Sequence, residues 1–455
     1  MTTTSVEHDA SHTRIARISL PMALSNAIGT ASQLVVTGLI GRLGEDELYI
    51  RSVYTPIAFL VLALTTGLAV TLQVVVAQAF GRGDKDQVPR YMGSVARSGI
   101  VLFLALGALL IVLSGVLADA VQVVPGQRGE FRLFLAAMVG ASVLGMLGEI
   151  CSAALRGLGR GGVAAITTGL YVGLNIAAVA VGGLVLDGGL MAVPLAAALA
   201  GAVEVVICLA VLVRGGLVRL PALTGWRPET PVMLRQIGAP VAASFLVLVV
   251  VNFVLLRIVA PAGQLAVAGF SVGYMVQTAI VVPAVGFASG VAVLMNQALA
   301  AGRSETVRLI FRRGMVLGLI GYAVLTVLVL SLADPLTNLL AGSPDVAEQA
   351  RRFVDIVGVT FGCTGMMLIV LTVMEQVGHA RLAMIFNAGY FALIVTVGWA
   401  LVGTTDDVSR LYWTMATGAL LSLLVGVPYA SRFALRPKSL HPEHAEPEPT
   451  PEAGV

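Results

Sequence analysis

The sequence predicts an all-α membrane protein with twelve transmembrane helices in two six-helix lobes, which are related to each other as a parallel internal repeat. The first observation is composition: 57% of the 455 residues are hydrophobic and only 12% are charged, whereas an average soluble domain has about 25% charged residues. The second is a mean hydropathy of +0.93, which arises from apolar runs long enough to cross a bilayer. The third is that the chain repeats itself.

The repeat is clearest in the segment from Gly67 to Gly83, GLAVTLQVVVAQAFGRG. A shift of 219 residues places it on GFASGVAVLMNQALAAG, from Gly286 to Gly302. The same shift, without a gap, pairs Pro21 with Pro240, Gly67 with Gly286, Gln78 with Gln297, Gly83 with Gly302, and Gly159 with Gly378. Because self-similarity at one fixed offset is typical of a repeated architecture, we expect two copies of one unit.

Charge clusters and Gly/Pro punctuation divide each half into six apolar spans. The first six lie near residues 15–40, 50–80, 91–118, 131–156, 162–186 and 190–213, and the second six near 233–259, 266–300, 310–332, 350–376, 380–402 and 410–432. The predicted organisation is a cytoplasmic tail (1–14), an N-lobe (15–214), a cytoplasmic inter-lobe loop (215–232), a C-lobe (233–433) and a Pro/Glu-rich disordered tail (434–455).

Twelve spans place both termini on one side of the membrane, and that side carries 20 of the 28 Lys and Arg residues. Basic residues are retained in the cytoplasm, so we expect a multi-pass protein of the inner (cytoplasmic) membrane with both termini cytoplasmic. Each half has an even number of spans, which gives the two repeats the same orientation. Transporters built in this way bind cargo and ions near the membrane midplane, so we expect a central cavity.

Several classes of function are disfavoured by the residues that the chain carries. The two lysines, Lys85 and Lys438, stand outside any phosphate-binding loop, and four of the five histidines lie in polar tails. The sequence therefore indicates no nucleotide, cofactor or metal site, and we expect a protein that is not an enzyme. A net charge of +3 is too small to suggest nucleic acid. We expect a monomer in the lipid bilayer that uses an ion gradient or works passively.

Two acids lie inside predicted spans, where an ionisable group is costly and points to function. Glu149 lies in the fourth span, seven residues before Arg156, and Glu204 lies midway along the sixth. Each is a candidate for binding a coupling proton or cation. The alternative is that each acid hydrogen-bonds a neighbouring helix or lies nearer the lipid headgroups. Asp355 and Glu375 lie near span ends beside arginines, so surface pairing is the preferred interpretation for them.

Polar uncharged residues inside the spans are the candidates for a substrate cavity, because an unpaired amide is expensive in lipid. Gln33 and Asn252 correspond under the 219-residue shift, which places an amide at the same depth in the first helix of each half. The alternative for any one of these residues is an interhelical hydrogen bond that stabilises the bundle. The candidate cavity residues are Gln33, Thr37, Gln78, Asn175, Asn252 and Gln297.

Several segments of this chain resemble the multidrug and toxic compound extrusion (MATE) transporters, and within them the DNA-damage-inducible protein F type. They are GLIGRLGEDEL, VAQAFGRGDKDQ, ALRGLGR, and the fifth and sixth spans with Asn175 and GGLMAVPLAAALA. The resemblance covers residues 14 to 432. It implies two six-helix lobes around a V-shaped cavity and export of small molecules driven by entry of H⁺ or Na⁺.

The chain departs from this resemblance at two acidic positions. Relatives of this type have an aspartate five residues before the glycine matching Gly41 and another four residues after the asparagine matching Asn175. Here those positions are Val36 and Val179, so Glu149 and Glu204 are the best remaining coupling groups. Because Gln33 and Asn175 are polar, we expect water to reach this lobe, so that aspartates introduced at both valines would be hydrated.

The sequence therefore favours an exporter of bulky amphipathic or cationic organic compounds that works by rocking of the two lobes. The alternative is a flippase or exporter of a lipid-linked or specialised metabolite from the same superfamily, with altered or no proton coupling. A membrane enzyme would need a metal or nucleophile constellation, and the sequence shows none. A scaffold would not need acids and amides at membrane depth.

Overall fold

The computed structural model describes residues 10–42, 44–120, 123–403 and 407–436, and the regular elements in this part of the chain are helices. Eleven of these helices are long and apolar enough to cross a membrane. The longest, Pro344–Gly403, contains two spans, because the helical conformation is interrupted at Val377 and Gly378. Gly159, which corresponds to Gly378 in the repeat, forms the equivalent turn in the first half. The prediction of twelve spans in two lobes is confirmed.

The helices follow the predicted spans closely. In the first half they are α1 (His12–Gly41), α2 (Glu45–Gly81), α3 (Gln87–Val112), α4 (Ser114–Ala120), α5 (Arg128–Gly157), α6 (Gly161–Val179) and α7 (Ala192–Arg214). In the second half they are α8 (Thr230–Met233), α9 (Ala239–Val259), α10 (Gln264–Val281), α11 (Pro283–Ala300), α12 (Ser304–Ser331), α13 (Ala333–Leu340), α14 (Pro344–Val357), α15 (Phe361–Met374), α16 (Ala380–Gly403), α17 (Ser409–Leu421) and α18 (Val427–Ala434). The π-helical segments Ala180–Val185, Leu234–Gly238, Glu375–His379 and Ser422–Gly426 extend or join these helices.

The repeat is visible in the backbone as well as in the sequence. Gly83 and Gly302, which correspond under the 219-residue shift, have φ angles of 80° and 71°, and Gly159 and Gly378 have φ angles of 77° and 96°. Only glycine adopts this left-handed conformation at little cost. The two halves therefore need glycine at the same turns, which accounts for the conserved spacing within the chain.

The lobes contact each other through the segments that carry the repeat. Gly67 on α2 lies against the backbone of Gly238, where a Cβ on Gly67 would be 2.5 Å from the Gly238 carbonyl oxygen. Gly286 on α11 lies in the same way against the carbonyl of Met22 on α1. Small residues let helix backbones approach closely in lipid. The second span of each lobe thus packs on the first span of the other.

Two further contacts at this interface are equivalent in the repeat, and in each of them a glycine meets a residue with a hydroxyl group. A Cβ on Gly290 would lie 2.5 Å from the hydroxyl oxygen of Ser19. The equivalent positions of the repeat are Thr71 and Gly238, and there a Cβ on Gly238 would lie 2.9 Å from Thr71 Oγ1. Each contact therefore contains one hydroxyl residue and one glycine, but on opposite spans.

The lobes meet at the end of the molecule that carries the termini, which we call the closed end. There Ile15, Ile18 and Met22 of α1 pack into the apolar core of the second half. Toward the other end the first half has its own core around Tyr54 and Phe134, built from first-half residues. The contacts between the lobes described here thus lie at the closed end, and Gln33 and Thr37, farther along α1, are exposed.

The inter-lobe loop is fixed to the N-lobe. Arg97 on α3 donates hydrogen bonds to the carbonyls of Thr224, at 2.8 Å, and Gly225, and its guanidinium lies 5.4 Å from the ring centre of Trp226. The backbone N–H of Arg227 donates to Ser94 Oγ at 2.8 Å. The loop is thus attached to the N-lobe as far as Arg227.

Candidate functional site

Five amide side chains are buried where the lobes meet at the closed end. Their exposed fractions lie between 0 and 6%, and they are contributed by α2, α11 and the π-helical segment after α15. We call this set the amide network; its members are Gln73, Gln78, Asn296, Gln297 and Gln376. A buried amide without a partner costs about 1–3 kcal/mol, so this end of the molecule needs every one of them paired.

Three hydrogen bonds of the amide network cross from one lobe to the other. They are Gln73 Nε2 to Gln376 Oε1, Gln78 Nε2 to Asn296 Oδ1, and Gln297 Nε2 to the carbonyl oxygen of Gly157, each 2.9 Å long. Within the C-lobe, Asn296 Nδ2 donates to the backbone carbonyl of Gln376 at 2.9 Å. The lobes can separate at this end only if water replaces these partners.

In this structure Gln78 and Gln297, which were expected to line the cavity, lie in the contact between the lobes. Both are buried, at 2% and 6% exposure, and both bond across the lobe interface. The physical reason is that α2 and α11 run along the contact between the lobes at this end. Here the alternative interpretation, a hydrogen bond between helices, describes the conformation observed.

The network continues to the first candidate acid. Arg156 Nε donates to Gln73 Oε1 at 2.9 Å, and Arg156 Nη2 donates to Glu149 Oε1 at 2.6 Å. The side chains of Arg156 and Glu149 are 15% and 33% exposed. Glu149 and Arg156 lie seven residues apart on α5, two turns along one helix face. The Glu149 carboxylate therefore lies inside the N-lobe, and Arg156 connects it to Gln73 at the lobe interface.

The second candidate acid, Glu204, lies beside the first. It is 5% exposed on α7, and a Cβ on Gly148 would lie 2.6 Å from its Oε2 atom. Its carboxyl group interacts electrostatically with Glu149 and Arg156. The structure thus brings both predicted acids and one arginine together between α5 and α7, an arrangement that the sequence positions alone do not reveal.

The positions of the missing aspartates are apolar and closed. Val36 and Val179 are 8% and 0% exposed and belong to the N-lobe core around Tyr54 and Phe134. Both valines are buried in this structure, and hydration of aspartates introduced there stays a prediction. Large aromatic side chains, Tyr54 and Phe134 among them, pack in the same core.

The other candidate cavity residues are more exposed than the amide network. Gln33 and Thr37 are exposed on the half of α1 that points away from the termini, where Thr37 Oγ1 donates to the carbonyl of Gln33 at 2.8 Å. Asn175 on α6 and Asn252 on α9 are half-buried. These four residues remain candidates for contact with cargo, since exposed or partly exposed amides at membrane depth must face protein or water.

Sequence reasoning did not select Gln376, and it did not distinguish Gln73 and Asn296 from the other amides. Gln376 was the last residue of a predicted span ending at 376, where a polar residue is unremarkable. In the structure the helical chain continues to His379, which places Gln376 in the interior. The available signal was the 219-residue shift, which places Gln376 on Gly157, next to Arg156. Asp355 pairs with Arg351 at 2.8 Å, as expected.

These features define a multi-pass membrane protein whose two homologous lobes meet at one end through glycines and amides. A family model described as MatE matches residues 21–181 and again residues 240–400. The two matches are offset by the same 219 residues as the internal repeat. The chain belongs to the MatE family, whose members are transporters and not enzymes.

Two similar proteins are both named probable multidrug resistance protein NorM. The one from Deinococcus radiodurans is 33% identical over 153 residues, and the match covers 33% of this chain and 33% of that protein. The one from Thermotoga maritima is 22% identical over 361 residues, which cover 75% of each chain. The match with the Deinococcus protein thus spans about a third of its length.

Solved structures show the same fold. A variant of the Vibrio cholerae MATE transporter VcmN superposes with a TM-score of 0.88 at 18% identity, covering 96% of this chain and 99% of that one. An outward-facing multidrug resistance MATE family transporter superposes with a TM-score of 0.85 at 17% identity, covering 96% and 100%. The predicted resemblance to MATE transporters is confirmed, whereas the protein F branch stays a prediction.

Proposed function

We propose that this protein is a secondary active exporter of amphipathic or cationic organic compounds, which exchanges its cargo for a proton or a sodium ion. The observation that carries the proposal is the pair of homologous lobes, which contact each other at the closed end through glycines and buried amides. Alternating access requires a second conformation that is open at the closed end. The contacts there join helices of different lobes, so they can break without unfolding either lobe.

The direction of transport follows from the orientation of the chain. With both termini in the cytoplasm, as the distribution of basic residues indicates, the closed end faces the cytoplasm. The conformation described is then the one that is closed toward the cytoplasm. Export of a cationic compound against its gradient requires that an ion enter through the same protein, since no nucleotide-binding loop is encoded in the sequence.

We assign ion coupling to the cluster of Glu149, Glu204 and Arg156. Glu149 pairs with Arg156, and Glu204 lies against Gly148, the neighbour of Glu149. The cluster therefore carries one excess negative charge when both acids are ionised, and one bound proton or cation neutralises it. Titratable side chains that interact with the cluster from α6 and α7 are Tyr171 and Cys208. An uncompensated charge at membrane depth is costly, which favours binding of one cation at a time.

The names of the relatives favour one cargo class over the alternative. Both NorM proteins are named for multidrug resistance, which supports export of organic compounds rather than flipping of a lipid-linked metabolite. The exposed Gln33 and Thr37 and the half-buried Asn175 and Asn252 offer polar contacts to such compounds. The protein is proposed to act as a monomer in the bilayer.

Transport in proteoliposomes tests this function. A fluorescent lipophilic cation is the cargo, and proton and sodium gradients are imposed separately. We expect one of them to drive movement, and we expect Glu149→Gln or Glu204→Gln to reduce gradient-driven movement about tenfold or more, as coupling free energies of 1–3 kcal/mol imply. The matched control is Glu130→Gln, an exposed acid of α5 at the opposite end of the helix.

Two outcomes would contradict the proposal. Cargo movement that depends on neither gradient would show that the protein is a passive carrier. Wild-type gradient dependence in both acid variants, with normal cargo binding, would leave transport intact but remove Glu149 and Glu204 from the coupling step.

A further inference from the structure

Arg156 fixes the direction of a chain of hydrogen bonds that runs across the lobe interface. Its guanidinium has donors and no acceptor, so Gln73 must turn its carbonyl oxygen toward Arg156, at 2.9 Å. The NH₂ group of Gln73 then faces Gln376 Oε1, and the NH₂ group of Gln376 faces Ser289 Oγ at 2.7 Å. An amide between two neutral partners could exchange the positions of its oxygen and its NH₂ group. Gln73 and Gln376 cannot, because Arg156 fixes the orientation of Gln73 and thereby that of Gln376.

A second bridge between the lobes ends at the same residue. Gln78 Nε2 on the N-lobe donates to Asn296 Oδ1, and Asn296 Nδ2 donates to the backbone carbonyl of Gln376. Gln376 is 1% exposed and lies in the π-helical segment Glu375–His379. The side chain and the backbone of one residue therefore receive both amide bridges from α2.

Arg156 is itself held in place by Glu149. The Nη2–Oε1 distance is 2.6 Å, and Ser152 Oγ accepts a third hydrogen bond from Nη1 at 3.2 Å. Hydrogen bonds from a charged donor are about twice as strong as neutral ones. The position of the guanidinium, and with it the orientation of the amides, thus depends on the Glu149 carboxylate.

We propose that Arg156 is a positioning residue of the gate at the closed end, and that it transmits the state of Glu149 to the lobe interface through Gln73 and Gln376. With Glu149 ionised, Arg156 holds Gln73 in the orientation that bridges the lobes. When Glu149 is neutralised, Arg156 loses its anchor, Gln73 can turn, and the closed end opens more readily. This inference rests on the proposed function, to which it adds the link between ion binding and lobe movement.

The N-lobe has the arginine that orients the amides, whereas the equivalent position of the C-lobe has a different residue. The shift of 219 residues places Glu375 on Arg156 and Gln376 on Gly157. The repeat position thus carries an acid, which accepts hydrogen bonds and cannot impose the same direction on an amide. The N-lobe acts as the sensor, and the C-lobe provides the acceptor Gln376.

The test measures the separation of the lobes directly. Spin labels are placed by Asp86→Cys and Glu305→Cys, equivalent exposed positions at the closed end of the two lobes, in a chain without its three native cysteines. Distances are recorded by electron paramagnetic resonance without cargo or gradient. We expect Glu149→Gln to raise the ratio of long to short distances about fivefold or more. Glu149→Asp, which retains the charge, and the control Glu130→Gln should leave the ratio close to that of the parent.

Transmission through Gln73 is tested with a second substitution. In a Gln73→Leu background, Glu149→Gln should add no further change. Gln73→Glu provides a second background, because it keeps an acceptor for Arg156 but removes the donor to Gln376. Unchanged distances in Glu149→Gln would overturn the proposal, as would an equal added shift in both Gln73 backgrounds. Because the distances are measured without cargo, they do not depend on the transport assay. A failure of the proposed function can therefore be distinguished from a failure of this inference.

Discussion

At the scale of single residues, the valines of the N-lobe show how this chain differs from the relatives it resembles. Val36 and Val179 stand where those relatives have aspartates, and both lie in an apolar core. Glu149 and Glu204 lie instead between α5 and α7. The acids that remain are therefore in a different part of the same lobe and next to the amide network.

Restoring the aspartates should destabilise the protein. We expect the double substitution Val36→Asp with Val179→Asp to cost about 2.5–3.5 kcal/mol for each charge placed at membrane depth, because both valines are buried in the apolar core around Tyr54. Thermal unfolding in detergent measures the loss. Val36→Thr with Val179→Thr is the matched control, since a threonine hydroxyl can bond a carbonyl of its own helix.

A folded double variant with wild-type stability would show that water does reach this core. Transport that then changed with pH would place a working proton site there. The closed core described above would in that case represent one of two packings of the N-lobe.

The amides show why the candidate site was only partly predictable. That Gln73, Gln78, Asn296 and Gln297 lie inside spans follows from hydropathy alone. Their partners do not, because an amide's partner depends on where the other lobe packs, and residues such as Gln73 and Gln376 are far apart in the chain. Glu149 and Glu204 were recognised one by one, but their proximity depends on the packing of α5 against α7, which a pattern of hydropathy does not encode.

At the scale of elements, α2 and α11 are the helices on which lobe contact depends. Each carries a glycine, Gly67 or Gly286, against the backbone of the other lobe. Their spans were predictable because glycine, glutamine and proline recur at a fixed offset, which needs no knowledge of contacts. The paired turns at Gly159 and Gly378, which share a left-handed backbone, were predictable for the same reason.

A methyl group at this contact should open the closed end. Gly67→Ala places a Cβ 2.5 Å from the carbonyl oxygen of Gly238, so the lobes must move apart, although alanine favours the helix itself by about 1 kcal/mol. We expect longer distances between labels at residues 86 and 305. Gly38→Ala is the control, because a Cβ at residue 38 meets nothing within 4 Å. This substitution therefore changes helix propensity without changing a contact between the lobes.

Equal distances in Gly67→Ala and Gly38→Ala would mean that the contact between α2 and Gly238 does not hold the lobes together. The amide network would then be sufficient to keep this end closed.

At the scale of the whole molecule, the orientation in the membrane is the prediction on which the direction of transport depends. The sequence suggests labelling at residues 225 and 405. The carbonyl of Gly225 is bound by Arg97, and residue 405 lies outside the described residues. The exposed neighbours Pro228, in the inter-lobe loop, and Gly403, at the end of α16, are better positions.

We expect a membrane-impermeant maleimide to label Gly403→Cys on intact cells and Pro228→Cys only after permeabilisation. Both substitutions are made in a chain without native cysteines. The reverse pattern at both positions would overturn the orientation inferred from the basic residues, and with it the conclusion that the closed end faces the cytoplasm.

The exchange of glycine and hydroxyl at the lobe contact bears on how the duplicated halves can pair. Two first halves together would place Ser19 against Thr71, where there is no room for two side chains. Two second halves would place Gly238 against Gly290 and leave a void. The two halves have thus become complementary rather than self-complementary, as in an obligate heterodimer joined into one polypeptide. Neither half retains the surface that a symmetric homodimeric ancestor would require.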